Sequence, residues 1–94
     1  MVVGVCTVQL EIFGNDSLKG KRSVVKPILA RVRDHFNVSA AEVNDLDSWQ
    51  RATLAFACVS NDANYAHGLL EKVVDYIEHN RFDANILDYQ IELI

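Results

Sequence analysis

Val2-Val3-Gly4-Val5-Cys6-Thr7-Val8-Gln9-Leu10-Glu11-Ile12-Phe13 opens the chain. The even positions Val2, Cys6, Val8, Leu10 and Ile12 are apolar, and Thr7, Gln9 and Glu11 alternate with them. A period of two in a segment rich in Val, Ile and Thr predicts a strand with one face in the core. Gly14-Asn15-Asp16-Ser17 then reads as a turn. Beyond it the period changes. Leu18, Val25, Ile28, Leu29, Val32 and Phe36 are spaced as the apolar stripe of a helix over about Leu18 to Phe36. Pro27 interrupts that pattern, because it lacks a backbone donor and crowds the preceding turn. The regular helix is therefore expected either to start only a few residues before Pro27 or to bend there.

The rest of the chain repeats this grammar. Asn37 to Asn44 reads as a second strand, and Asp45-Leu46-Asp47-Ser48 as a loop. Trp49 to Val59 reads as a third strand, with Ala52, Leu54, Phe56 and Cys58 on one side and Ala55, Ala57 and Val59 on the other. Ser60, Asn61 and Asp62 supply helix caps. Ala66, Leu69, Leu70, Val73 and Ile77 mark a second amphipathic helix that ends near His79-Asn80. Leu87, Tyr89, Ile91 and Leu93 alternate with Asp88, Gln90 and Glu92 in a last strand expected to face its apolar side inward. The order β-α-β-β-α-β with right-handed crossovers predicts an α+β, ferredoxin-like sandwich: a four-stranded antiparallel sheet with two helices on one face.

Composition fits a single domain spanning residues 1–94. Half of the 94 residues are hydrophobic and only one is proline, which argues against disorder. A chain of this size buries roughly 60–70% of its unfolded surface. Apolar runs fall far short of the ~20 residues of a membrane span. The chain opens straight into a strand pattern, so no targeting segment is expected, and two cysteines without a leader suit a reducing cytoplasm.

Charge is distributed unevenly. Lys19, Lys21, Arg22, Lys26, Arg31 and Arg33 are six of the nine Lys and Arg residues, and no acid lies among them. This window carries +6 in a chain of net charge −4, so the remainder carries −10. At about 100° per residue, Lys19, Arg22, Lys26 and Arg33 lie within roughly 60° of one another on one flank of the apolar stripe. Arg31 projects elsewhere, and Lys21 points near the apolar side. Such a stripe can neutralise phosphates, meet an acidic protein, or pair with Glu71, Asp75 and Glu78 of the second helix in a surface salt-bridge seam. Trp49 and Arg51 suggest a second site on the exposed face of the sheet. However, the third strand lacks the Gly-aromatic pattern of base-stacking sheets, and acids flank it on both sides.

Catalytic signals are sparse. His35, His67 and His79 lack metal-ligand spacing, and no Cys-x2-Cys pair occurs. Cys6 and Cys58 read as small hydrophobes on strands. No Gly-rich phosphate loop follows a strand, and the Asp45 and Asp47 pair alone is a weak cation signal. No enzyme, cofactor or metal is expected. The third strand, apolar on both sides, calls for cover on both, and a second copy of the chain is the simplest cover.

Ser17-Leu18-Lys19-Gly20-Lys21-Arg22, Phe36-Asn37-Val38-Ser39, Ala41-Glu42-Val43, Trp49-Gln50-Arg51-Ala52 and Ser60-Asn61-Asp62 resemble the YlxP-like proteins, also called domain of unknown function 503. The resemblance covers nearly the whole chain. It implies a small bacterial protein with a ferredoxin-like fold and no settled activity. Genes of that family often lie near translation and ribosome-maturation genes, which implies a link to RNA or the ribosome. Gly20 departs from the acidic or polar residue usual there. The expectation is a non-catalytic, cytoplasmic, homodimeric accessory factor that binds RNA or ribosomal particles through Lys19, Lys21, Arg22, Lys26 and Arg33. The alternatives are a module for an acidic protein partner and a small-ligand regulatory domain.

Overall fold

The computed structural model describes residues 1–80 and 82–94 of the chain. The alternating opening segment forms β1 (Val2–Ile12), an inner strand of a four-stranded sheet. It is followed by α1 (Leu18–His35), β2 (Ser39–Asn44), β3 (Arg51–Ser60), α2 (Ala63–His79) and β4 (Ala84–Leu93). The strand order is β2-β3-β1-β4, and every pairing is antiparallel. This is the ferredoxin-like α+β arrangement, with β2 and β4 as open edges.

The pleat of β1 sorts its residues as the alternation requires. Cys6, Val8, Leu10 and Ile12 are buried and face the helices. Cys6, Val8 and Leu10 lie opposite Phe56, Leu54 and Ala52 of β3, so both inner strands send their apolar faces the same way. Val25, Ile28 and Val32 of α1 and Ala66, Leu70, Val73, Val74 and Ile77 of α2 complete the core. Gly4 lets α2 come close: a Cβ there would lie 2.9 Å from Leu70 Cδ1 and 3.2 Å from Cys58 Sγ. Residue 70, fully buried, is thus the inward Leu of α2, and Leu69 is only half-buried.

Two expectations require correction. In β4, Leu87, Tyr89 and Leu93 remain exposed, and Ala84, Ile86 and Ile91 pack on the core. A register shift between Gln9 and Leu10 of β1 accounts for Leu87, whereas Tyr89 and Leu93 keep the inward parity of Ile91 and are exposed as part of the edge strand. Tyr89 pairs with Val8, but Ile86 rather than Leu87 pairs with Leu10, so the inward parity changes across the bulge. In α1, the helix begins at Leu18, where the apolar spacing puts it, so of the two outcomes expected at Pro27 a start only a few residues before it does not occur. Pro27 lies on the exposed side, and so does Ser23, whose carbonyl it cannot pair; water can satisfy that group there.

Candidate nucleic-acid interface

The start of α1 is fixed by short polar side chains. Ser17 caps the helix, its Oγ accepting from Gly20 N–H at 3.0 Å. Asn15 Nδ2 donates to Ser17 O and to Trp49 O, each at 2.6 Å. Gln50 Nε2 donates back to Asn15 O at 3.2 Å, and Ile12 N–H donates to Gln50 O at 2.8 Å. The β1–α1 turn and the β2–β3 loop are thereby strapped together. Gly20 makes room for the strap. A Cβ there would fall 2.0 Å from Asn15 Oδ1.

Lys21 closes the arrangement from inside. Its side chain is 2% exposed. Its Nζ donates to Asp45 O at 2.7 Å, Arg51 O at 3.2 Å and Leu46 O at 3.3 Å. Glu42 Oε2 lies 2.9 Å from the same nitrogen, yet that buried oxygen accepts no aligned hydrogen bond. The three N–H bonds are spent on the carbonyls, and the carboxylate is held by charge. Asp45 adopts φ 59°, a conformation Asp tolerates, and its Oδ2 accepts from Thr53 Oγ1 at 2.8 Å. Lys21 is therefore a clamp on the β2–β3 loop and has no donor left for a phosphate. One oxygen of the Asp45 carboxylate is likewise engaged, by Thr53.

The other four residues of the stripe behave differently. Lys19, Arg22, Lys26 and Arg33 are all exposed. Arg33 Nη2 donates to Ala40 O of the edge strand β2, which places this flank of α1 on the β2 side. The opposite flank faces α2. There the His35 and Tyr76 rings lie 4.6 Å apart, Phe36 and Tyr76 meet edge to face at 5.6 Å, and Arg31 lies 5.4 Å over the Phe82 ring. The acids of α2 point away from α1. Glu71 accepts from Tyr89 Oη of β4 at 3.3 Å and lies 3.8 Å from His67 Nε2. The expected seam between a basic α1 and Glu71, Asp75 and Glu78 is thus not formed. Among the described residues the ion pairs are Lys21–Glu42 and His67–Glu71.

Trp49 and Arg51 do not form a sheet site. Trp49 lies in the loop before β3 with its side chain half exposed, and Arg51 begins β3 opposite Glu11. What the sequence reading missed was the shared end of the molecule: Phe13, Leu46 and Trp49 are exposed in the two strapped segments. The signal was Asn15, a turn residue with a side chain long enough to bridge them.

The remaining chemistry is spare. Cys6 is buried, and that burial, with Glu71 adding to it, pushes its thiol up to about 12, which leaves it protonated and unreactive at neutral pH. Tyr89 is also raised, chiefly by the Glu71 charge. Asp75, Glu78 and His79 bring donor atoms within 4.8 Å of one another, but all three sit on the exposed side of one helix. On the helix-free face of the sheet a shallow hollow of about 290 Å³ is lined by Val3, Val38, Ser39, Ala57 and Val59. No helix of the described residues is long and apolar enough to cross a membrane.

Residues 3–91 match the model of a family described as protein of unknown function (DUF503). The chain is also 36% identical, over 77 residues, to the uncharacterized protein YlxP of Bacillus subtilis (strain 168), a match that covers 82% of this chain and 84% of that relative.

Proposed function

The chain belongs to the DUF503 family, whose function is unknown, and we propose that it is a non-catalytic accessory factor that binds RNA, alone or within ribosomal particles, through the exposed flank of α1. The observation that carries this reading is the set of four exposed cations, Lys19, Arg22, Lys26 and Arg33, on one flank, with no acid paired to any of them among the described residues. The ordinary fate of a basic helix beside an acidic one is mutual pairing. Here the two charged flanks face opposite edges of the sheet. From Lys19 to Arg33 the flank extends about 21 Å at 1.5 Å per residue, long enough to follow several phosphates. Two free, buried cysteines suit a reducing compartment, so the cytoplasm is the proposed site of action.

The test is co-sedimentation with ribosomal particles at low salt. The native chain is expected to sediment with them. Arg22→Gln, Lys26→Gln and Arg33→Gln together should release it. Equal sedimentation of both proteins, or of neither, would remove the RNA reading and leave an acidic protein partner as the use of this flank.

A second reading, self-association, is favoured by the helix-free face of the sheet. Val3, Val5, Ala41, Ala55, Ala57 and Val59 share that face, and Val59 is 70% exposed. Apolar side chains on both faces of β3 are most simply covered by a second protomer. Sedimentation equilibrium should return about twice the mass of one chain. Ala57→Glu should halve it without unfolding the protein, and a native protein monomeric at high concentration would refute the dimer.

A further inference from the structure

We propose that the end of the molecule bearing Trp49 and Phe13 is a preformed stacking platform for an unpaired base, so that the RNA bound along α1 is single-stranded where it leaves the helix N-terminus. The proposal rests on the RNA reading above and adds a substrate class to it.

A surface loop that merely connects two strands does not need a buried lysine. The β2–β3 loop has one. Lys21 holds the carbonyls of Asp45, Leu46 and Arg51 from below. Ser48 N–H donates to Asp45 O at 3.0 Å, and Ser48 Oγ accepts from Arg51 N–H at 3.2 Å. Asn15 and Gln50 tie the loop to the turn before α1. These bonds fix a backbone whose large side chains point outward: Phe13 is 62% exposed and Trp49 is 49% exposed. Exposed aromatic rings on a rigid support lose little freedom on binding. The β1–β3 register carries on toward both residues. Glu11 pairs with Arg51, and Ile12 N–H donates to Gln50 O, which brings Phe13 and Trp49 to the same end of the two strands.

The charge at this end decides what stacks and what does not. Asp16 and Asp47 are exposed in the same two segments, and Glu11 lies opposite Arg51. A phosphate is therefore not favoured over the rings themselves. The cations begin with Lys19 and Arg22 in the first turns of α1 and continue along its flank. This division suits a single strand, whose phosphates follow α1 and whose base turns onto an aromatic ring. A duplex keeps its bases stacked inside and offers the rings nothing. Gly20 belongs to the same design. Any side chain there would strike Asn15, which carries the bond to Trp49 O.

Trp49 is the chain's only tryptophan, so its fluorescence reports this platform alone. The probes are a short single-stranded RNA of mixed sequence and the same RNA annealed to its complement. Single strands are expected to quench Trp49 and to bind more tightly than the duplex. Trp49→Ala should weaken single-strand binding roughly tenfold, within the range for loss of one stacked base, and should leave the slope of log affinity against log salt unchanged. Trp49→Phe should restore most of that loss. Gly20→Ala, which retains the ring but displaces Asn15, should also weaken single-strand binding. Single-stranded RNA bound with Trp49 unquenched, or bound equally by Trp49→Ala, would overturn the platform and leave the phosphate reading standing. If neither RNA binds, both fall.

Discussion

Lys21 shows how far the local environment redefines a residue. It lies between Lys19 and Arg22 in a run of cations, yet it is buried while they are exposed. Its position on the wheel pointed it near the apolar side. What could not be read from one helix was the set of carbonyls waiting there, because they come from a loop more than 20 residues away. Removing the ammonium would strand Glu42, whose side chain is only 18% exposed, and three carbonyls. Breaking a buried pair from one side costs about 3–5 kcal/mol, and the residual exposure of Glu42 argues for the lower end. Lys21→Met should therefore lower the urea unfolding free energy by about 3 kcal/mol. A loss no larger than that of an exposed Lys26→Met would show that the clamp contributes little.

Among the elements, β1, α1 and α2 were the most legible, since each keeps one apolar period over most of its length, and α1 and α2 have a polar cap in front. Asp62 indeed accepts from Asn64 and Tyr65 N–H at the start of α2. In β4 the reading had the parity of Tyr89, Ile91 and Leu93 right and that of Leu87, beyond the bulge, wrong. Alternation specifies a face only while the register holds, and the bulge opposite Gln9 and Leu10 is set by pairing with β1 and not by β4 itself. Trp49 was read onto β3 because its apolar bulk continues the strand pattern. The straps from Asn15 place it in the loop. In α2, two adjacent leucines differ in depth: Leu70 is fully buried beneath Gly4, and Leu69 is only partly buried at the margin of the core. Leu70→Ala should cost about 2–5 kcal/mol, and Leu69→Ala less than half as much. The reverse order in thermal or urea unfolding would mean that α2 is rotated about its axis from the position described.

At the scale of the whole molecule, charge is separated across the sheet. The basic flank of α1 overhangs the β2 edge, and the acidic flank of α2 lies toward β4, where Tyr89 donates to Glu71. The sequence alone could not decide between a seam and a separation, because both helices lie on one face of the sheet in either case and only their rotations differ. Those rotations are set by Lys21 on one side and by the His35–Tyr76 contact on the other. Function was the least legible level. The fold hosts many roles, the family has none assigned, and what the structure adds is a flank of four exposed cations with no ion pair among the described residues. The separation has a consequence for stability. Exposed cations with no ion pair can be neutralised at little cost, Arg33 losing only an exposed bond to Ala40 O, so the Arg22→Gln, Lys26→Gln, Arg33→Gln variant should unfold within about 0.5 kcal/mol per substitution of the native chain, as for surface changes.

The most direct test of the central claim is the salt dependence of binding to single-stranded RNA, measured on the native chain and on that triple variant. Four phosphate-binding cations give a log affinity that falls with log salt at a slope of about −0.7 per contact, and the variant should lose about three contacts' worth of that slope while staying folded. Identical slopes for the two proteins would mean that the exposed flank of α1 does not hold phosphate.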